Sequence, residues 1–273
     1  MEKELSLPLN VGSFKGWIHP DYNYPPFIEA ISDCQRLLKQ RDSRILHEGR
    51  NRVGVVRLKN KNNENADVVI KEFKIQGVNK LKSLLLPSKA LRAWKGAVSL
   101  LERRIDTPFP IACLERRKKG FVDQSYYLAE KVEEVKEIRY LFLNSPVSKI
   151  RPLVESLSRY LFVCHEKGIL HRDLSDGNIL VKEDKGKFRF YFIDTNRIRF
   201  PKRIRPLSRI KNLVRLGIPS QIQPLFLDKY LGSVPVKRSL WFWYKMNKIM
   251  YTSFVEFKKK LKLRELSHKL KIQ

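Results

Sequence analysis

Acidic side chains are scarce in this sequence. Only 28 Asp and Glu stand against 56 Lys and Arg, and the formal charge is +28. An excess of that size predicts an anionic partner: nucleic acid, an acidic membrane surface or a multiply phosphorylated substrate. Charge alone does not choose among them. Cysteine is nearly absent as well. Cys34, Cys113 and Cys164 are odd in number and far apart, which excludes a disulfide framework and any zinc-ligand spacing and fits a reducing cytosol. No apolar run approaches the roughly 18 residues of a membrane-spanning helix. The opening MEKELSLPLN carries acids and lacks an apolar centre, so no secretory signal is expected there. Core-forming residues are plentiful: 42% of the chain is hydrophobic, with 15 Phe, 10 Tyr and 4 Trp. That composition excludes global disorder and suits one large domain or two lobes around a cleft.

Residues 1–40 read as a loop rich in proline and aromatics, followed by a helix over 27–40. Three short Val- and Ile-rich segments then predict strands over 44–47, 53–58 and 67–73, the last two joined by the polar turn KNKNNEN. Ala90, Trp94, Ala97 and Leu101 recur at helical spacing and predict a helix over 88–104, capped by Ser88. Thr107-Pro108-Phe109-Pro110 breaks it. Strands are expected over 111–115 and 125–130. Leu153, Leu157, Leu161 and Cys164 then predict a helix over 150–167, ended by Gly168.

The most informative stretch runs from Ile169 to Phe200. In it His171-Arg172-Asp173 is followed five residues after the aspartate by Asn178, and Asp194 closes an apolar strand sixteen residues later. With a turn over 182–187, Asn178 and Asp194 fall at the same end of a β-hairpin. This is the protein-kinase-like spacing H-R-D-x-x-x-x-N followed by a metal-binding Asp. Phosphoryl transfer asks for positioning and charge neutralisation more than covalent help. Asp173 would orient the acceptor hydroxyl and take its proton, while His171 and Arg172 support the loop. Asn178 and Asp194 supply hard oxygen ligands for Mg²⁺. Upstream, D-V-V-I-K places Lys71 on a strand, where its ammonium would meet nucleotide phosphates. No G-x-G-x-x-G is present. The nearest candidate, Gly49-Arg50-Asn51-Arg52-Val53-Gly54, covers phosphates with Gly49, Asn51 and Gly54 or is a plain hairpin turn. The helix carries no acid before Glu102, and Lys95 stands about where a partner for Lys71 would be expected.

Over residues 40–235 the chain resembles the bacterial lipopolysaccharide kinase group, the Kdo/heptose kinase-like proteins of the protein-kinase-like superfamily. The resemblance rests on VVIKEFK, SKALRAWK, IDTPFPIA, SYYLAE, HRDLSDGNIL and IDTNRIRF. In the last, Thr195-Asn196-Arg197 follows Asp194 where conventional protein kinases have Phe-Gly. The resemblance implies an α+β, two-lobed kinase fold. An N-terminal antiparallel sheet with one main helix would precede a mostly helical C-terminal lobe, with ATP between them. It implies ATP- and Mg²⁺-dependent phosphorylation of a sugar hydroxyl of the lipopolysaccharide inner core, on the cytoplasmic face of the bacterial inner membrane. It also places Glu130, the end of SYYLAE, at the nucleotide. The domain reading is an N-terminal extension over 1–40, a nucleotide-binding lobe over 41–132, a catalytic lobe over 133–235 and a basic amphipathic segment over 236–273.

That last region concentrates the charge. Residues 199–273 hold 19 Lys and Arg against 3 Asp and Glu, so 19 − 3 gives +16. Phe242, Met246, Ile249, Met250, Phe254 and Phe257 share one helical face ahead of the cluster KKKLKLR. The pattern fits docking on an anionic membrane, or a core helix followed by a solvated tail. An anionic glycolipid acceptor and a membrane surface are the expected partners. Nucleic acid is demoted, because no zinc-finger, RRM or KH signature accompanies the charge. Two alternatives stay open: a kinase of the same fold acting on a protein or small hydroxyl compound, and a non-catalytic nucleotide-binding membrane scaffold. No A-P-E motif follows Asp194, which argues against a peptide acceptor.

Overall fold

A computed structural model describes residues 5–75, 77–232 and 238–260. The chain divides into two compact units. Among the described residues, the first holds 5–102 and 108–133, and the second holds 103–107 and 134–260.

The first unit is built on a seven-stranded antiparallel sheet. Its strands are β1 (Leu7–Val11), β2 (Phe14–Ile18), β3 (Arg44–Glu48), β4 (Asn51–Lys59), β5 (Asn65–Phe73), β6 (Pro110–Lys118) and β7 (Phe121–Glu130), ordered β1-β2-β6-β7-β5-β4-β3. Four helices accompany it: α1 (Pro25–Ile31), α2 (Cys34–Leu37), the single-turn α3 (Val78–Lys82) and α4 (Lys89–Glu102). Alternation along each strand sends apolar side chains to both faces. Val68, Ile70, Tyr126 and Leu128 pack with Phe27, Ile31 and Leu38 under α1 and α2. Phe73 and Cys113 pack with Ala90, Ala93, Trp94 and Val98 of α4. The Ser88 hydroxyl accepts the Leu91 N–H at 3.0 Å and caps α4 as its sequence predicts.

Residues 1–40 depart from the sequence reading. The expected loop is the β1–β2 hairpin, which adds two strands to the sheet through β6. Gly16 explains how: a Cβ there would lie 1.8 Å from the Cys113 carbonyl oxygen, so only glycine permits the pairing. The single helix expected over 27–40 is divided, because Asp33 leaves helical geometry to cap α2.

The second unit contains β8 (Lys136–Glu137), α5 (Ile138–Asn144), α6 (Val147–Glu166), β9 (Leu170–His171), β10 (Ile179–Asp184), β11 (Lys187–Phe192), β12 (Ile198–Arg199), α7 (Pro206–Leu213), α8 (Gln223–Leu231) and α9 (Arg238–Lys260). Strands β10 and β11 form a hairpin with β8 on its outer edge, and β9 pairs with β12. Leu153, Leu157 and Leu161 of α6 and Phe226 and Leu227 of α8 are buried in this unit's core.

A polar relay crosses that core. Asn212 Nδ2 donates to the His171 carbonyl at 3.0 Å, so its Oδ1 accepts from His165 Nε2 at 3.1 Å. His165 Nδ1 is then left to accept the Tyr230 hydroxyl at 2.6 Å. Burial drags the His165 imidazole from 6.5 to about 4. The native state thus holds a neutral ring while the unfolded chain takes up a proton below 6.5. Stability is fully present above that pH and is lost as pH falls toward 4, by about 3 kcal/mol in total for this residue. Urea unfolding at pH 7.5 and pH 5 checks this. His165→Leu is expected to be less stable at the higher pH but to lose much less on acidification.

Helix α9 buries Tyr244 completely, and its Trp243 indole donates to the Leu207 carbonyl of α7 at 3.1 Å. Its other face is bare. Phe242, Met246, Ile249, Met250, Phe254 and Phe257 are between 39% and 65% exposed. They are the residues whose periodicity the sequence displays, so the apolar stripe is not this unit's core. The basic cluster begins at Lys258 on the last turn of α9 and continues outside the described residues. Among the described residues no helix is long and apolar enough to cross a membrane.

Candidate active site

The H-R-D segment begins in the β9–β12 pair and is held beyond it by main-chain and imidazole hydrogen bonds. His171 pairs with Ile198, and the Arg172 N–H donates to the Arg197 carbonyl at 3.1 Å. His171 is buried. Its Nδ1 accepts the Asp173 N–H at 3.2 Å, so Nε2 carries the proton and donates to the Ile193 carbonyl at 3.0 Å. Burial lowers its pKa, which favours this neutral tautomer. The imidazole thus pins the aspartate's backbone to the strand end beside Asp194. Arg172 is exposed.

The Asp173 carbonyl accepts the Asn178 side-chain amide at 2.8 Å and the Ser175 N–H at 2.8 Å. Asp173 Oδ1 pairs with Arg215 at 2.9 Å. Because Asn178 Nδ2 is committed to a carbonyl, the flip of its amide is fixed and Oδ1 is the end available to a cation.

Asp194 lies at the mouth of the same hairpin. The Ile193 N–H donates to the Asn178 carbonyl at 3.1 Å, just beyond the Ile179–Phe192 register pair. The chain turns sharply there, since Asp194 has φ +55° and opens the short turn Thr195–Arg197. Aspartate is among the few residues that tolerate this left-handed conformation, and such strain gathers at functional sites. Two residues given no site role in the sequence hold the strand behind it. The Thr107 hydroxyl donates to the Phe192 carbonyl at 2.8 Å, and the Asp106 carboxylate takes the Arg189 guanidinium at 2.7 and 2.8 Å. Their sequence signal was the stretch IDTPFPIA.

Amide and carboxylate oxygens at one hairpin mouth suit a hard cation. Mg²⁺ is usually held by one or two protein groups, with phosphates and water completing its shell. Among the described residues no group of three or more His, Cys, Asp and Glu side chains forms a denser metal cluster.

In the first unit Lys71 pairs with Val53 and Tyr127 and lies on the α4 face of the sheet, its ammonium 5.3 Å from the Phe73 ring centre. Asn51, paired with Phe73, shares that face, and its Oδ1 is buried without a partner. Gly49 forms the β3–β4 hairpin turn, its N–H bonding the Asn51 carbonyl at 3.0 Å.

Two of the nucleotide candidates lie elsewhere. Gly54 faces α2, where a Cβ would meet the Leu38 side chain at 2.7 Å, so packing accounts for this glycine. Glu130 pairs with Val68, putting its side chain on the same opposite face, where it accepts the Tyr22 hydroxyl at 2.6 Å. The period-2 rule separates both positions from the face of Lys71 and Asn51. Lys95 is exposed on α4, and the helix offers no acid before Glu102.

Comparison with known proteins bears on the fold and the family. No curated protein sequence matches the chain. Among solved structures, one described as WaaP in complex with acyl carrier protein aligns with probability 1.00 and a TM-score of 0.56. It is 19% identical, and the alignment covers 84% of this chain and 94% of that one. The two share a fold, here an α+β kinase-like one. The sequence profile of the lipopolysaccharide kinase (Kdo/WaaP) family matches residues 38–222, which contain Lys71, Asp173, Asn178 and Asp194. With about two thirds of its length matched, the chain belongs to the lipopolysaccharide kinase (Kdo/WaaP) family and is a phosphotransferase.

Proposed function

We propose that this kinase transfers phosphate from Mg²⁺-bound ATP to a hydroxyl of a Kdo or heptose residue in the lipopolysaccharide inner core. The observation that carries the reading is the anchoring of one loop and one hairpin mouth together. His171 ties Asp173 to the residue before Asp194, and Asn178 ties Asp173 to the start of β10. In this reading the first unit serves the nucleotide and the second the chemistry. Asp173 orients the acceptor hydroxyl and takes its proton. Asn178 Oδ1 and the Asp194 carboxylate hold Mg²⁺, which when bound neutralises charge on the transferring phosphoryl group. Lys71 meets the nucleotide phosphates, with Asn51 and Gly49 at the adjoining turn. His171 and Arg172 keep the loop in shape.

The direct test is incubation of the protein with labelled ATP, Mg²⁺ and phosphate-poor core lipopolysaccharide. Label is expected on the saccharide and absent when Mg²⁺ is chelated. Label on protein alone, or on no acceptor, sinks the reading.

The acceptor's setting gives α9 a role. We place the enzyme peripherally on the cytoplasmic face of the inner membrane, with the bare stripe of α9 on the bilayer and the basic cluster over anionic headgroups. Deleting residues 258–273 removes seven Lys and Arg and is expected to weaken binding to vesicles containing anionic lipid by at least about a hundredfold, each cation near the surface contributing about 1 kcal/mol. Sedimentation with vesicles measures this, and unchanged binding at moderate salt removes the tail from the docking surface.

A further inference from the structure

We infer that Arg215 is the positioning residue of the catalytic loop and that helix α9 holds it in place. The inference rests on the reading of Asp173 as the base. Arg215 follows α7 by two residues and belongs to no motif in the sequence. Its Nη1 makes two contacts, donating to the Arg172 carbonyl at 3.0 Å and pairing with Asp173 Oδ1 at 2.9 Å. A single nitrogen therefore fixes the carboxylate against the backbone of its own loop. With Oδ1 engaged, Oδ2 is the oxygen left to take the acceptor's proton. A guanidinium suits this task because its planar fork is preorganised.

The segment carrying Arg215 is gripped from two sides. On one side α9 presents Lys248 and Tyr251, three residues apart and so on one helix face. The Lys248 ammonium donates to the Val214 carbonyl at 2.8 Å and the Leu216 carbonyl at 2.6 Å, the two that flank Arg215. The Tyr251 ring lies 5.5 Å from the Arg215 guanidinium carbon. Burial lowers the Lys248 pKa, and Asp176 is the one charge that raises it again. On the other side Gly217 presses on the catalytic loop, where a Cβ would come 2.4 Å from Asp176 Oδ2. Asp176 is itself met by Arg139 at 3.3 Å. Arg215 Nε is buried without a partner, a cost offset by the contacts of Nη1. An arginine serving only solubility would leave its polar atoms in water.

The test compares Arg215→Ala, Arg215→Lys and Asp173→Ala in transfer to phosphate-poor core lipopolysaccharide. Slow hydrolysis of ATP, with water as acceptor, serves as a second readout independent of the sugar. Arg215→Ala is expected to lower kcat about 30-fold with the KM for ATP within about twofold, and Arg215→Lys to lower it about fivefold. Added guanidinium at tens of millimolar is expected to restore Arg215→Ala several-fold and to leave Asp173→Ala dead. Tyr251→Ala should reduce kcat in the parent and add nothing in the Arg215→Ala background, whereas Tyr251→Phe should act like the parent. Turnover of Arg215→Ala within twofold of the parent, with Asp173→Ala inactive, overturns the inference. So does a loss that raises the KM for ATP and ignores guanidinium. Normal turnover in Asp173→Ala overturns the assignment of the base instead.

Discussion

Replacing Asp173 by alanine is expected to lower kcat by about 10³-fold while changing nucleotide affinity by no more than about twofold, in line with the usual worth of a general base. The fold around it explains why the two effects separate. The main chain of residue 173 is anchored by its carbonyl, which takes the Asn178 amide and the Ser175 N–H, and by its N–H, which meets His171. None of these bonds uses the carboxylate. Its removal breaks the ion pair of the Arg215 side chain, which is 37% exposed and keeps its bond to the Arg172 carbonyl. The loop should therefore stay folded and still bind nucleotide. Equilibrium binding of a fluorescent ATP analogue, set beside single-turnover transfer, reads the two quantities apart. A parallel fall in both would assign Asp173 to ground-state binding.

The second large effect is expected at Asp194, and here the backbone dictates the choice of variant. With φ at +55° the residue sits in a region that costs an ordinary L-residue roughly 1–2 kcal/mol and costs asparagine less. Alanine would mix loss of a ligand with loss of backbone tolerance. Asp194→Asn keeps the shape and removes the charge. In the parent, Mg²⁺ should tighten ATP binding and support transfer. In Asp194→Asn that gain should fall at least about tenfold and kcat about 10³-fold, because a full negative charge facing the cation has been lost. Alanine should match it in activity and melt lower. Mg²⁺ titrations at fixed nucleotide decide the matter. A variant that keeps the parent's response to Mg²⁺ would move the metal site off this hairpin.

Much of this was visible in the chain because local rules carried it. Val- and Ile-rich composition marks β4 and β5, the 3.6 period marks α4 and α6, and H-R-D-x-x-x-x-N with Asp194 is a spacing set by one loop and one hairpin. The β1–β2 hairpin escaped because its pairing depends on Gly16 meeting the Cys113 carbonyl, a contact between residues nearly a hundred positions apart. Gly54 and Glu130 were grouped with Lys71 by motif, and the strand registers put the Glu130 side chain, and the side on which Gly54 would carry a Cβ, on the other face. Asp106, Thr107 and Asn212 had no site role in the sequence, because their partners, the Arg189 guanidinium and the Phe192 and His171 carbonyls, are set by distant packing.

What the sequence by itself determined is the order and spacing of Asp173, Asn178 and Asp194, the groups the proposed phosphoryl transfer would use, because one loop and one hairpin impose those intervals. It also determined the charge and the apolar stripe of α9, which are properties of composition and period. Only the tertiary structure decided what each group faces. Arg215 reaches Asp173 and Lys248 reaches the carbonyls beside Arg215 through contacts more than thirty residues apart in the chain. The stripe of α9 faces outward because Tyr244, Trp243 and Lys248 take the inner side. No local periodicity encodes such choices, since they depend on which surfaces remain once distant segments have packed.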